Sequence, residues 1–428
     1  MKGDNIMDTM QILSVVVFVL VMAAIISEKV HRTVAAVTGG VLLVILRVLD
    51  VDQAVGYIDF STIGVLIGMM LFVAVVRNSG LFEYMAIKSA KIAKGNPWKI
   101  MLLFTILTAV LSAFLDNVTT VLLVGPMAIA ITGILGIDPV PFLLAQILAS
   151  NIGGTATLIG DPPNIMIGSQ AGLSFMDFVG NTGIAVVFIM AALCVCFYFM
   201  FGKKLIVEPD KMAAVMQLDE NKSIKDHALL VKSVVMIVVV VFGFVFHSSL
   251  GVDSCIIALG SATIMLLIGK QDTEEIVLGV EWSTILFFTG LFVVVGGMQQ
   301  TGIITMLGNA LVEVTGGNAM LLMLLILWGS AMFSSVLDNI PFVATMIPLI
   351  LAMQADGMDV NALWWALSLG ACLGGNGTLI GASANVVLSG ISAKHGHPIT
   401  FARYLRVGFP MMLMSVAIST VYLLIRFH

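Results

Sequence analysis

Charged residues are scarce in this chain. Only 11% of its 428 residues are Asp, Glu, Lys or Arg, whereas soluble domains carry about 25%. The net charge of −5 is small, and no basic stripe indicates a nucleic-acid partner. A soluble protein of this length would have too little polar surface to cover itself. The composition therefore excludes a soluble globular fold.

Residues for covalent or metal chemistry are also few. The four cysteines lie in apolar segments and form no CxxC pair, which excludes a zinc ribbon and a thioredoxin-like motif. The six histidines form no recurring pattern. No Ser-His-Asp set, P-loop or GxGxxG motif is present. We therefore expect neither an enzyme nor an ATP-driven pump, and no cofactor.

Apolar residues are abundant instead. They make up 59% of the chain, and the mean hydropathy is +1.09. Many apolar runs reach the roughly 20 residues that span a bilayer as a helix. The first run, 11–27, is followed by Lys29 and Arg32 and has no small-residue cleavage site, so it is predicted to be a retained helix. The sequence predicts an all-α polytopic membrane protein.

The two halves of the chain match each other across a polar central stretch. Matches of Leu and Val are easy to obtain by chance in apolar sequence, but Asp-Asn, Gly-Gly and Thr-Leu-Ile-Gly in one order are not. The matching segments are DFST at 59–62 and EWST at 281–284, LDN at 115–117 and at 337–339, and GGTATLIGDPPN at 153–164 and GGNGTLIGASAN at 374–385. The sequence predicts a repeat over 1–201, a cytoplasmic linker over 202–228 and a second repeat over 229–428.

The repeats are predicted to have opposite orientations. The fourth apolar run of each half is divided by Asp-Asn and contributes an even number of crossings, so each half has an odd total. Homologous halves of this kind are inserted upside down relative to each other, as in many secondary transporters. The loops rich in Lys and Arg place both termini outside and the central loop in the cytoplasm. We expect about ten transmembrane helices plus the two divided segments.

Asp116 and Asp338 lie in the middle of the divided segments. A carboxylate at membrane depth costs about 2.5–3.5 kcal/mol on insertion scales. Two of them at equivalent positions predict a site for a cation or a proton, with one carboxylate from each repeat. The alternative is that each Asp caps the half-helix that follows it. The two interpretations are compatible.

The second motif predicts a broken helix in each repeat. Gly153 and Gly154 weaken the helix, and Asp161 before two prolines indicates a stop and a restart. Free backbone groups at membrane depth are tolerated only where protein or a water-filled cavity satisfies them. Asp161 has Ala382 as its counterpart, so it is either a coupling residue or only an N-cap.

These patterns together give the candidate substrate- and ion-binding residues. A Na⁺ ion is predicted to use Asp116 and Asp338, and no other metal site is expected. The candidates are Asp116, Asn117, Thr119, Thr120, Asn151, Gly153, Gly154, Thr155, Thr157, Asp161, Asn164, Asp338, Asn339, Pro341, Gly374, Gly375, Asn376, Thr378 and Asn385.

The motifs LDNVTTVLLVGP, NIGGTATLIGDPPN and LDNIPFVATMIP resemble the ion transporter superfamily. Within it they resemble the ArsB/NhaD permeases, which include arsenite permeases, P protein-like members and the citrate-transporter-like domain. The resemblance implies re-entrant hairpins with their tips at 116–119 and 338–341. It also implies helices broken at the substrate site, at 153–157 and 374–378.

The resemblance implies a secondary transporter that works by alternating access in the cytoplasmic membrane. H⁺-coupled efflux of arsenite or antimonite is the first expectation, and Na⁺/H⁺ antiport is the second. A dicarboxylate or citrate-type anion ranks lower because the motifs supply no Lys or Arg. An uncoupled ion channel is an alternative of another class. The expected partners are the lipid bilayer, a small inorganic ion or oxyanion, and a coupling proton or Na⁺; a homodimer and a separate ATPase subunit stay open.

Overall fold

The computed structural model describes residues 8–27 and 29–427, and this part of the chain contains helices and no strands. The ends, at 1–7 and 428, lie outside the described residues, so the predicted location of the termini is not addressed there. The apolar runs predicted as helices are helical. An all-α fold is therefore confirmed.

The described residues of the first half fold into eleven α-helices. A π-helical turn at Val179–Gly183 joins the last two. In chain order they are α1 Thr9–Ser27, α2 Arg32–Ile45, α3 Val51–Gly56, α4 Phe60–Arg77, α5 Leu81–Ile92, α6 Pro97–Ser112, α7 Asn117–Leu135, α8 Val140–Gly154, α9 Pro162–Ala171, α10 Phe175–Phe178 and α11 Ile184–Met200.

The second half repeats this order after one short helix in the central stretch. Most of its helices begin 221 or 222 residues after their counterparts, as the sequence match predicts. They are α12 Pro209–Met216 in the central stretch, then α13 His227–Leu250, α14 Ser254–Gly269, α15 Thr273–Leu278, α16 Trp282–Gln300, α17 Ile303–Val314, α18 Ala319–Val336, α19 Asn339–Ala355, α20 Asn361–Gly374, α21 Ser383–Lys394 and α22 Phe401–Phe427.

Eight helical segments of the described chain are long and apolar enough to cross a membrane by length and composition. They are α1, α4, α7, the α10–α11 segment, α13, α16, α18 and α22. Two further helices, α2 and α14, have 14 and 16 residues. Two of the eight long segments, α7 and α18, are arms of the hairpins and are left out of the count. The other six, together with α2, α14 and the broken pairs α8–α9 and α20–α21, give about ten crossings. This agrees with the predicted polytopic class.

The packing of the helices shows the relation between the repeats. Helix α2 packs along α16, and its counterpart α14 packs along α4. In the same way α9 packs on α19, while α21 packs on α7. Each of these contacts joins the two halves of the chain. The α2–α16 contact corresponds to the α14–α4 contact, and the α9–α19 contact corresponds to the α21–α7 contact. The two inverted repeats are thus interleaved rather than placed side by side.

The central stretch folds back onto the first half. Helix α12 packs against α5 and α7. Lys91 Nζ on α5 lies 2.5 Å from Glu220 Oε2, and Lys88 Nζ lies 3.6 Å from Glu220 Oε1. Helix α5 therefore contacts the linker through its lysines.

Candidate ion-binding site

Asp116 lies at the tip of the first hairpin, between α6 and α7. This residue is the N-cap of α7, where its side chain accepts a hydrogen bond from the backbone N–H of Thr119 at 2.8 Å. The Thr119 hydroxyl donates to the other carboxylate oxygen at 2.5 Å. Capping satisfies a backbone donor that the first turn of a helix leaves free. Asp116 thus has the capping role that was one of its two predicted roles.

The tip of the second hairpin is built differently. Asp338 is at the N-cap position of α19, but its side chain makes no capping hydrogen bond. The residue that corresponds to Thr119 is Pro341, which has neither an N–H nor a hydroxyl to donate. The Asp338 carboxylate instead lies 2.5 Å from Nη1 of Arg32 and 3.3 Å from Oγ of Ser383.

Asp161 lies at the break between α8 and α9. It is at the N-cap position of α9 but makes no side-chain capping bond, which leaves its carboxylate free to point elsewhere. The side chain is fully buried, and both of its oxygens lie 3.4 Å from Nδ2 of Asn339 in the other repeat. Of its two predicted roles, side-chain capping of α9 is therefore not observed, and the coupling role stays a prediction.

A small cavity lies where the two hairpin tips and the first broken helix meet; we name it the central cavity. Its volume is about 30 Å³, enough for one or two water molecules or a monatomic ion. Four carboxyl groups line it. Its lining residues are Arg32, Leu66, Met70, Asp116, Asn117, Val118, Asp161, Pro162, Glu281, Thr284, Asp338, Asn339, Ile340 and Ser383.

Five of the predicted site residues line this cavity: Asp116, Asn117, Asp161, Asp338 and Asn339. They come from both repeats, as predicted for the two hairpin aspartates. The remaining candidates lie outside the lining.

Four buried asparagines connect the cavity lining to the two broken helices. Asn117 donates to Asn151 Oδ1 at 3.0 Å. Asn151 in turn donates to Oδ1 of Asn376 and of Asn385, both at 2.9 Å. A buried amide left without partners costs about 1–3 kcal/mol, so this chain of bonds fixes the two broken helices to each other. Asn151, Asn376 and Asn385 join the repeats behind the cavity.

The asparagine after each break closes the broken helix. Asn164 donates to the carbonyl of Thr157 at 2.9 Å, and its counterpart Asn385 donates to the carbonyl of Thr378 at 2.9 Å. These amides satisfy carbonyl groups that the interrupted helix leaves free. The sequence predicted that side chains would meet the broken backbone, and these two do so.

The broken helices also contact the hairpins in the same way in both repeats. Thr157 donates its hydroxyl to the carbonyl of Ala113, and Thr378 donates to that of Ser335 at 2.5 Å. A Cβ added at Gly153 would lie 2.2 Å from the Ala109 carbonyl oxygen. The other candidates outside the lining are Thr119 and Thr120 in α7, Gly154 and Thr155 at the first break, Pro341 in α19, and Gly374 and Gly375 at the second break.

Two charged residues of the cavity were not predicted. Arg32 has the sequence pattern of an ordinary loop charge, and it lies 306 positions from its partner Asp338. Glu281 precedes α16, and its side chain accepts from Thr284 at 3.1 Å. The sequence did hold a signal for Glu281, because DFST and EWST place an acid at equivalent positions. Asp59, the equivalent residue, caps α4 by accepting from the N–H groups of Ser61 and Thr62.

The charges of the cavity define what it can bind. Asp116, Asp161, Glu281 and Asp338 face it, together with the guanidinium of Arg32. Oxygen ligands of this kind suit a hard cation or a proton. The acids outnumber the guanidinium, which makes the cavity unfavourable for a ligand with several negative charges.

Comparison with known proteins identifies the family. Residues 22–370 match the family described as citrate transporter, CitMHS. The chain belongs to the citrate transporter family of the ion transporter superfamily. Its members are transporters and not enzymes, as the sequence predicted.

Relatives match nearly the whole length of this family member. It is 42% identical to an uncharacterized transporter of Mycobacterium tuberculosis, over 98% of this chain and 99% of that protein. It is 39% identical to a 46 kDa membrane protein of Mycobacterium leprae, with the same coverage. The P protein of Homo sapiens is 35% identical over 95% of this chain and 58% of its own length.

A solved structure shares the fold of this family member. The YdaH transporter of Alcanivorax borkumensis, whose crystal structure has an unusual topology, superimposes with a TM-score of 0.64. The match covers 97% of this chain and 98% of that one, at 14% sequence identity. It supports the inverted-repeat fold and says nothing about the transported substrate.

Proposed function

We propose that the protein exchanges a small monovalent cation for protons by alternating access. The observation that supports this proposal is the central cavity, where four carboxyl groups from both repeats face a space of about 30 Å³. A carboxylate at this depth is stable only when it is protonated or paired with a cation. The same groups therefore bind a cation and a proton in alternation, which is the basis of exchange.

Arsenite or antimonite efflux, expected first from the resemblance, is the second candidate. Arsenous acid is neutral at neutral pH and has three hydroxyl groups. The carboxylate and amide oxygens that line the cavity are acceptors for such donors. In this case one of the aspartates carries the exchanged proton.

A citrate-type anion ranks third, although the family carries that name. A tricarboxylate would meet four acidic side chains and the guanidinium of Arg32 within the described lining. Several uncompensated negative charges in one buried space repel one another strongly. Citrate is also larger than the space available in this conformation.

The proposal includes the position of the chain in the cell. Loops rich in Lys and Arg support placement in the cytoplasmic membrane, with the termini outside and the linker inside. The division into repeats at 1–201 and 229–428, with a linker at 202–228, is supported by the recurring order of α1–α11 and α13–α22.

The test uses everted membrane vesicles with an imposed, acid-inside pH gradient. Adding Na⁺ or Li⁺ is expected to collapse the gradient with the wild-type protein, since each cation bound releases a proton. Arsenite and citrate are added in separate reactions to identify those cargoes. A channel would dissipate the gradient without building a cation gradient in return, whereas an exchanger builds one.

The variants Asp116→Asn and Asp338→Asn are expected to abolish exchange. Each removes a charge at the cavity while keeping the size of the side chain, so membrane insertion is expected to be normal. Surface labelling and yield after purification serve as the control for insertion. Full exchange in both variants would contradict a role of these aspartates in coupling.

A further inference from the structure

The guanidinium of Arg32 occupies a position where a cargo cation is expected. Nη1 lies 2.5 Å from Asp338 Oδ2 and 2.9 Å from Ser383 Oγ. Nη2 lies 3.4 Å from the hydroxyl of Thr284, and the group stands over the Phe287 ring at 5.1 Å from its centroid. These are the kinds of oxygen donors that a small cation would use.

The same group separates two cavities. A second cavity, of about 400 Å³, adjoins the central cavity; we name it the vestibule. Arg32, Asp338 and Ser383 line both spaces. The vestibule reaches the protein surface beside the exposed residues Val30 and His31. The Arg32–Asp338 pair thus forms the partition between the surface and the acidic groups.

The arrangement has no counterpart at the other hairpin. The position equivalent to Arg32 is Ser254, the first residue of α14. Asp116 has its own cap from Thr119, whereas Pro341 leaves Asp338 without one. Of the two hairpin aspartates, only Asp338 lacks a capping hydrogen bond, and it is Asp338 that pairs with the guanidinium of Arg32.

We propose that Arg32 is a tethered competitor for the transported cation. In the cation-free state its guanidinium pairs with Asp338 and closes the partition. A cargo cation that reaches Asp338 displaces the guanidinium into the vestibule, where water solvates it. This inference rests on the proposed exchange of cations, and it names the residue that determines which cations compete successfully.

Two features make the displacement feasible. Arg32 is the first residue of α2, where the partial positive charge of a helix N-terminus disfavours a cation. Its side chain is also 27% exposed, so it reaches water without a large movement. When no cargo is bound, the pair leaves no uncompensated charge on Asp338.

Binding of radioactive Na⁺ to the purified protein tests the competition. A competitor that occupies a site most of the time lowers the apparent affinity for the cargo by the fraction of time that the site is free, so a site that is free for about a tenth of the time binds about tenfold more weakly. Arg32→Gln, which keeps a hydrogen-bonding side chain without the charge, is expected to strengthen Na⁺ binding by at least about tenfold. Arg32→Lys keeps a tethered cation, and is expected to stay close to the wild type.

The matched control for this measurement is Arg403→Gln. Arg403 pairs with Asp138 at 2.6 Å on the surface, away from the central cavity. The Arg403→Gln variant is expected to leave the affinity for Na⁺ unchanged. Equal or weaker Na⁺ binding by folded Arg32→Gln, judged by its thermal unfolding in detergent, would overturn the competitor role. A merely structural arginine would not increase affinity when removed.

A second experiment tests the partition without any cargo, so that it separates this inference from the proposed function. In a chain freed of its four native cysteines, Val118→Cys places a thiol in the lining of the central cavity. The rate of its reaction with a charged methanethiosulfonate is measured in detergent. Adding Arg32→Gln is expected to accelerate the reaction by at least about tenfold, because the partition opens.

The outcomes of the two experiments have different meanings. If the wild type binds no Na⁺, Li⁺ or K⁺, the proposed cation exchange fails. The partition is still supported in that case if the thiol of Val118→Cys reacts faster when Arg32→Gln is also present. An equal reaction rate with and without Arg32→Gln would overturn the partition itself.

Discussion

At the residue scale, Asp116 and Asp338 occupy equivalent positions, yet their carboxylates have different partners. Thr119 donates two hydrogen bonds to Asp116, whereas Pro341 donates none to Asp338. A single difference at the third residue of the helix therefore decides whether the aspartate caps its own helix. Asp338 is left available for Arg32 or for a cation.

This difference can be tested with Pro341→Thr. The new N–H and hydroxyl would cap Asp338 as Thr119 caps Asp116, and an N-cap bond contributes about 0.5–2 kcal/mol. We expect the apparent affinity for Na⁺ to fall by about two- to thirty-fold, because the carboxylate must leave its cap to bind the ion. Binding of radioactive Na⁺ to the purified protein measures the change.

Pro341→Val is the matched control for that prediction. Valine has the shape of threonine and restores the N–H, but it lacks the hydroxyl. It is expected to show a smaller loss of affinity than Pro341→Thr. If Pro341→Thr bound Na⁺ as tightly as the wild type, the availability of Asp338 would not depend on this residue.

Sequence reasoning found some of these residues and not others, for a physical reason. An acid inside an apolar run is visible in the sequence, so Asp116 and Asp338 could be predicted. Arg32 belongs to a short polar loop that has an ordinary explanation as a membrane-flanking charge. Only tertiary packing brings its side chain to a hairpin tip 306 positions away.

At the scale of elements, each hairpin is held to its broken helix by a close backbone approach. A Cβ at Gly153 would lie 2.2 Å from the Ala109 carbonyl, and a Cβ at Gly374 would lie 2.6 Å from that of Ala331. The sequence showed the glycines and predicted the breaks. It did not show that α6 and α18 lie against them, because that contact depends on the turn geometry of the hairpins.

Gly153→Ala and Gly374→Ala are both expected to destabilise the protein. The added methyl group forces the hairpin away, and overpacking of this kind costs about 1–3 kcal/mol. Unfolding in detergent can be followed with a thiol-reactive dye, since Cys372 is fully buried beside the second break. Its exposure is expected at a lower temperature in both variants.

Gly133→Ala is the matched control in the same fold. Gly133 lies in α7, and a Cβ there meets no atom within 4 Å. The substitution is expected to be neutral or to stabilise the helix by up to about 1 kcal/mol. Equal stability of Gly153→Ala and Gly133→Ala would mean that the hairpin is not held by this contact.

At the scale of the whole molecule, the linker is attached to one repeat by charge. Lys91 donates to Glu220 and keeps the pKa of that carboxyl below its usual range. Glu220 is therefore ionised at neutral pH, and its attraction for Lys91 weakens as the pH falls through the lowered pKa. The sequence predicted the polar linker and its cytoplasmic location, but it gave no sign of this contact.

Trypsin digestion of vesicles tests both the attachment and the proposed orientation. Cleavage at Lys222 and Lys225 is expected in everted vesicles and not in right-side-out vesicles. Glu220→Gln removes the charge and is expected to increase the cleavage rate, since the linker detaches more often. Cleavage from the outside only would reverse the proposed topology, and an unchanged rate in Glu220→Gln would show that this pair does not hold the linker.

The exchange of helices between the repeats has a consequence for how such a protein can specialise. Two separate copies of a half-length polypeptide, inserted antiparallel, would make the same pairs of contacts, α2 with α16 and α14 with α4. Identical copies must carry the same residue at both hairpin tips. Joining them in one chain lifts that restriction, so one tip can keep its threonine while the other has a proline.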